Sequence, residues 1–282
     1  DSTFTNNTAA YYGGAVDYYD AYNASSLVIS DSTFTGNVAT AYYGGGLYFY
    51  GGGATGPSVA VSDSTFTDNT AEYRGGAIYA AYANVMDLSG NNFEANAVLG
   101  GSYYSYYGGG GLYAYAPVAL TASHNVFCMN QGDTGAGAYL YGGTAGGTDA
   151  WTNNVFQENE ALSRGGGLYV SGGAGSSFVN NSFVGNDAWE DGGGVFFTDA
   201  VPVFTNNLVA WTVDGYAIYA HQQAVDDVAS VTYNGWYTNH RDDAGGYFSF
   251  SNTTDGNVVA DPQLRGYSDD GDCSNDDLRL AS

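Results

Sequence analysis

The feature that most limits what this chain can become is a unit that returns throughout its length. A Phe-x-x-Asn pair occurs at Phe4/Asn7, Phe34/Asn37, Phe66/Asn69, Phe93/Asn96, Phe127/Asn130, Phe156/Asn159 and Phe183/Asn186. A weakened copy stands at Val209/Thr212, and Trp236/Asn239 restores the pair with a larger ring. The steps between anchors are 30, 32, 27, 34, 29, 27, 26 and 27 residues. Each anchor is followed by a glycine pair and an apolar residue, as in Gly13-Gly14-Ala15-Val16, Gly44-Gly45-Gly46-Leu47, Gly75-Gly76-Ala77-Ile78 and Gly109-Gly110-Gly111-Leu112. The series resumes at residues 165–168 and 192–195, with looser versions at 135–139, 215–218 and 245–248. Units of this length, repeated nine times, describe a solenoid in which each unit covers the open face of the one before.

The unit reads as one coil of a parallel β-helix, where equivalent positions stack about 4.8 Å apart along the axis. Columns of the repeat are then ladders in space. Five residues before the anchors stand Ile29, Val61, Leu88, Ala122, Trp151, Phe178, Phe204 and Val231, an apolar column suited to the interior. Beyond the glycines stand Val16, Leu47, Ile78, Leu112, Tyr139, Leu168, Val195, Ile218 and Phe248, a second such column, and the anchor rings make a third. Three inward columns imply three short strands per coil and a prism filled by side chains. Helix is excluded, since 43 glycines would each cost about 1 kcal/mol against Ala and no 3.6-residue apolar period persists. Residues 51–57 and 142–147 read as variable loops. The expectation is an all-β, right-handed parallel β-helix of about nine coils over residues 1–254, closed by a short, irregular, acidic segment at 255–282.

A polar column two residues before the anchor runs Ser2, Ser32, Ser64, Asn91, Asn125, Asn154, Asn181, Asn207 and Asn234. It could be a row of ligands, but stacked side-chain amides that cap a turn are the favoured reading, and the Phe-x-x-Asn asparagines are read the same way. The Phe-x-x-Asn units and the Gly-Gly-Ala-Ile type segments together resemble the repeats of the polymorphic outer-membrane protein family and related bacterial β-helix surface proteins. The resemblance covers about residues 1–250. It departs where Gly-Gly-Gly-Leu replaces Gly-Gly-Ala-Ile and where Val209 and Thr212 replace both anchors. It implies a secreted, surface-displayed passenger or adhesin, often carrying a separate anchoring region. Residues 258–282 look like the closing segment that follows such repeats.

The formal charge of −24, with five arginines and no lysine, opposes binding to nucleic acid, anionic lipid or polyanionic sugar. It is compatible with neutral glycans, divalent cations or further copies of the chain. No run of 18 apolar residues signals a membrane span and no leader is visible. The chain opens directly in a repeat at Asp1, so upstream residues are expected to be missing, or the first coil to be covered by another copy in a head-to-tail or flank-to-flank fibre. Cys128 and Cys273 are either a disulfide or two free thiols.

Polysaccharide lyases and glycosidases use this fold, so catalysis has to be weighed. Arg74 and Arg164 precede glycine pairs but stand three units apart. Asp1, Asp31 and Asp63 align, yet their column continues with Gly90, His124, Asn153 and Asn180, which looks like corner capping rather than an acid–base pair. His221 and His240 have no evident partner. No catalytic residue is assigned and a non-enzyme is expected. Asp269, Asp270, Asp272, Asn275 and Asp276 form a hard-oxygen cluster that could take Ca²⁺ without EF-hand spacing, or be a solvated tail. Tyrosine carries more. Tyr48, Tyr79, Tyr113, Tyr169 and Tyr219 share the position after the inward apolar residue, and Tyr50 and Tyr115 lie two further on, so alternation turns all of them outward. They are either a stiffening ladder or a contact face for another protomer, a surface or a neutral glycan. The favoured function is an extracellular or cell-surface structural or adhesive protein that forms an oligomer or fibre; the alternative is a carbohydrate-active β-helix, as enzyme or binder.

Overall fold

A computed structural model describes the chain apart from residues 21, 24, 53–54, 101–106, 143–147, 173–175, 201, 222–229, 247–255, 269–272, 274–275 and 281–282. Among the described residues the regular structure is all β, arranged as four long parallel sheets of ten, nine, eight and seven strands and one small antiparallel pair. One coil runs through Ser58–Ser62, Thr65–Thr67, Thr70–Ala71 and Ile78–Ala81. Each strand pairs with its counterparts one coil away: Phe66 lies opposite Phe34 and Phe93, and Ile78 opposite Leu47 and Leu112.

Four strands per coil correct the expectation of three. The extra strand, Thr70–Ala71, has two residues, too few for any alternation to show. Its inward residue is small, and Ala39, Ala71, Ala161 and Ala188 in this column are at most 2% exposed.

Left-handed residues make the corners. Asp31, Asp63, Gly90, His124, Asn153 and Asn180 all have φ between 47° and 66°, so the acidic column is indeed a corner, filled mostly by residue types that tolerate this conformation. A second corner follows the anchor strand, and a third needs glycine outright. A Cβ on Gly75, at φ 64°, would lie 2.4 Å from the Ile78 carbonyl oxygen.

The interior follows from the columns. Phe34, Phe66, Phe93, Phe127, Phe156 and Phe183 have no exposed surface and stack at centroid separations of 4.6–5.2 Å. Val209 takes the same buried place where the motif weakens. The asparagine columns are ladders. Asn69 donates both its backbone N–H (3.0 Å) and its side-chain N–H (2.9 Å) to Asn96 Oδ1, and a second side-chain N–H to the Phe34 carbonyl (2.9 Å). Asn125 repeats the pattern on Asn154 and Leu88. These amides satisfy buried corner groups that would each cost about 1–3 kcal/mol if left unpaired.

Two positions differ from the sequence reading. Ala138, not Tyr139, pairs between Leu112 and Leu168, and Tyr139 falls in the outward column opposite Tyr113. Ala244 lies opposite Ile218 in the place given to Phe248, which is outside the described residues.

The ten-stranded sheet ends on Val258–Val259, beside Gly235–Tyr237. Beyond it Leu264–Gly266 and Asp277–Leu280 pair antiparallel. A Cys128–Cys273 disulfide, with Cα atoms 6.3 Å apart, ties this segment to the outer face of the anchor sheet. Tyr267 stacks on Trp211 at 5.0 Å, and Asp276 accepts from Gln157 Nε2. Cys128, Gln157, Val184 and Ala210, successive outward positions on that sheet, are buried.

A candidate contact groove on the tyrosine sheet

The nine-stranded sheet carries the site. In Leu47–Tyr50 the side chains alternate: Leu47 and Phe49 join the core, while Tyr48 and Tyr50 belong to a separate aromatic cluster outside it. Parallel register then lines up one outward column through Tyr48, Tyr79, Tyr113, Tyr139, Tyr169, Phe196 and Tyr219. Ring centroids are 4.5–5.5 Å apart with planes within 17° of parallel.

The column is outward but not exposed. Tyr48, Tyr79, Tyr113 and Tyr169 are 3–7% accessible, because each ring is covered on both faces by its neighbours one coil away. Tyr50, Tyr115 and Tyr219 are partly buried and pack against the same cluster. Alternation told which side the rings take; it carried no information on how far they shield one another. The wetter edge is Tyr141, 41% exposed, and Tyr19, 63% exposed.

Beside the ladder runs a groove of about 650 Å³. Tyr50, Tyr82, Tyr115 and Tyr141 line one flank, Arg74 with Tyr79, Tyr113, Tyr139 and Tyr169 the floor, and Ser171, Thr198 and Asp199 the remainder. The Arg74 guanidinium sits 5.4 Å from the Tyr43 ring centroid and 5.1 Å from that of Tyr113, held in cation–π contact on two sides. In the sequence Arg74 shows only as an isolated cation before a glycine pair.

Burial raises the phenols of Tyr48, Tyr79, Tyr113, Tyr139 and Tyr169, with Arg74 pulling Tyr79 and Tyr113 part of the way back. Tyr82 is pushed up to about 12 by burial and by its hydrogen bond with Tyr115. These hydroxyls therefore stay protonated at neutral pH. They can donate and accept hydrogen bonds, but they offer no phenolate for general-base or nucleophilic work.

Of the possible calcium ligands, Asp269, Asp270, Asp272 and Asn275 are outside the described residues. Asp276 is engaged by the Ser268 N–H (2.7 Å) and hydroxyl (2.9 Å). Among the described residues no three His, Cys, Asp or Glu gather as a metal site, and no helix is long and apolar enough to cross a membrane. One grouping escaped the sequence reading altogether. Glu160, Asp187 and Asp214 share a recess of about 260 Å³ with Ala161, Leu162 and Trp189 on the seven-stranded sheet.

Fold and flank together define a repeat solenoid of parallel β-coils with an aromatic ladder along one side. The family model described as right handed beta helix region matches residues 1–183. The chain belongs to the right-handed β-helix family. No curated protein and no solved structure matches it.

Proposed function

We propose that the chain is an extracellular structural or adhesive β-solenoid, akin to the polymorphic outer-membrane repeat proteins, that associates with further copies through its tyrosine flank. The observation that carries this reading is the local neutrality of the groove. In a chain of net charge −24, the groove lining contains one cation, Arg74, and one carboxylate, Asp199, among a majority of neutral phenols. A tyrosine hydroxyl both donates and accepts, so a row of them can face a copy of itself across a two-fold contact. Repulsion between the acidic remainders is screened within about 10 Å at 0.1 M salt. The Cys128–Cys273 disulfide supports an oxidising, extracellular compartment. A sugar platform is the weaker reading, because the ring faces of the ladder are already occupied by one another.

Sedimentation velocity and negative-stain imaging test it. With rising protein concentration at moderate salt, the wild type is expected to form oligomers or filaments. Tyr141→Glu, which charges the exposed rim, is expected to stay monomeric. A wild type that remains monomeric at every concentration and salt would refute self-association. Cleavage of a polysaccharide, abolished by a single Asp substitution, would move the chain to the carbohydrate-active class.

A further inference from the structure

On a different sheet, the recess beside Trp189 brings together features that the contact reading does not use. Trp189 is 74% exposed and Leu162 55%. The Trp189 backbone N–H donates to the Ala161 carbonyl at 3.3 Å, which sets Trp189 and Leu162 next to each other on adjoining coils. Unshielded apolar side chains of this size, Trp above all, are the typical anchors of an interface. Register stacks Glu160 directly on Asp187, and Asp214 completes the recess. Asp187 Oδ1 is buried without a hydrogen-bond donor among the described residues.

The neighbouring arginines are already committed: Arg164 pairs with Glu190 at 2.9 Å and Arg241 with Asp191 at 3.2 Å, and His240 Nδ1 lies 3.1 Å from Asp214 Oδ1. Among the described residues Glu160 takes the Gln131 amide, at 3.2 Å, Asp187 takes backbone N–H groups of Ala188 and Asp214, and neither joins an ion pair.

We propose that this recess is a docking site for a basic segment of another protein, which lays an Arg or Lys side chain along the Trp189 indole with its charged end between Glu160 and Asp187. The indole face supplies a cation–π contact and covers the aliphatic stem, and the carboxylates accept the N–H donors. The volume of about 260 Å³ suits a side chain, lying below the roughly 300–1,000 Å³ of small-ligand clefts. A second copy is a poor occupant, since the chain brings 29 acidic residues against five arginines.

The probe is a short synthetic peptide alternating Arg and Leu, with a Glu–Leu peptide as control, followed by calorimetry and by tryptophan emission. Trp151 and Trp236 are buried and Trp211 is half-buried against Tyr267, so a change in emission is assigned to Trp189 by its loss in Trp189→Ala. The Arg–Leu peptide is expected to bind and shift the emission. Trp189→Ala is expected to weaken binding about tenfold or more, as loss of a hot-spot anchor does, and Glu160→Gln with Asp187→Asn similarly. Leu162→Ser, also at an exposed position, is expected to weaken it less. Trp189→Ala leaves the net charge unchanged, so equal affinity in wild type and variant would mean general attraction to a polyanion and would overturn the site. A neutral oligosaccharide that shifts the emission where the peptide does not, or self-association lost in Trp189→Ala, would overturn it as well.

Discussion

At the scale of single residues, the stability of this chain rests on columns, and one position tests what a column is worth. Phe127 has no exposed surface and stacks 4.7 Å from both Phe93 and Phe156. Phe127→Ala is expected to cost about 3–5 kcal/mol in denaturant unfolding, as a buried aromatic replaced by a cavity does. A loss below about 1 kcal/mol would mean that the anchors do not form the core. These anchors were legible from sequence because a large ring recurred at one place in nearly every unit. The asparagine ladders were legible for the same reason, and their amides bond as that reading required. Tyr139 was misplaced by one position because its unit spaces the glycines differently, and a slip of one residue exchanges the inner face for the outer.

At the scale of elements, legibility followed strand length and repetition. Three strands of each coil announced themselves through Ile29, Phe34 and Leu47 and their equivalents, whereas the fourth has two residues in most coils, as at Thr70–Ala71, too few to carry a period, and lengthens only at Gln131–Thr134 and Glu160–Arg164. The carboxylate recess was hidden for another reason: Glu160 and Asp187 stack, but Asp214 enters from outside their column. The terminal segment was recognisable as different, but not what holds it. The Cys128–Cys273 bond spans 145 residues, and closing a loop of that length removes unfolded-state entropy worth about 4–5 kcal/mol in the simple chain model. Cys128→Ser with Cys273→Ser is expected to lower the unfolding midpoint. It should also speed hydrogen exchange first in Leu264–Gly266 and on the outer face of Val155–Gln157, where the segment lies. Unchanged stability and exchange would mean that the staple is idle.

At the scale of the whole molecule, acidity shapes behaviour. Burial raises Asp17, Asp133, Asp149, Asp187 and Asp191 above the ordinary Asp value of 3.8. Each of these holds its proton more tightly folded than unfolded, so its contribution is fully present below 3.8 and is lost as pH rises through the folded value. Asp20, lowered by hydrogen bonds from Ser25 and its neighbours, acts in the opposite sense: its contribution is present above 3.8 and lost as pH falls. With five groups against one and a net charge of −24 to relieve, the melting temperature is expected to rise as pH falls from 7 toward 4. A melting temperature that falls over that range would contradict this. Asp149 is the most deeply buried of the five, although Ser176 donates to its Oδ2 at 3.3 Å. It occupies the inward column of Leu27, Val59, Met86 and Leu120 with Oδ1 unpaired. Asp149→Leu is therefore expected to stabilise the protein at pH 7 and to flatten the pH profile.

If the tyrosine flank meets other copies of the chain, residue-resolved tyrosine nitration across a range of protein concentrations reads that contact on the face itself. Tyr141 is 41% exposed at the groove rim, and Tyr233, 64% exposed at a corner of a different sheet, serves as the internal reference. Contact through the groove requires that nitration of Tyr141 and Tyr115 fall steeply as concentration rises while Tyr233 keeps its reactivity. A ratio of Tyr141 to Tyr233 nitration that stays constant from the most dilute to the most concentrated sample would contradict association through the groove.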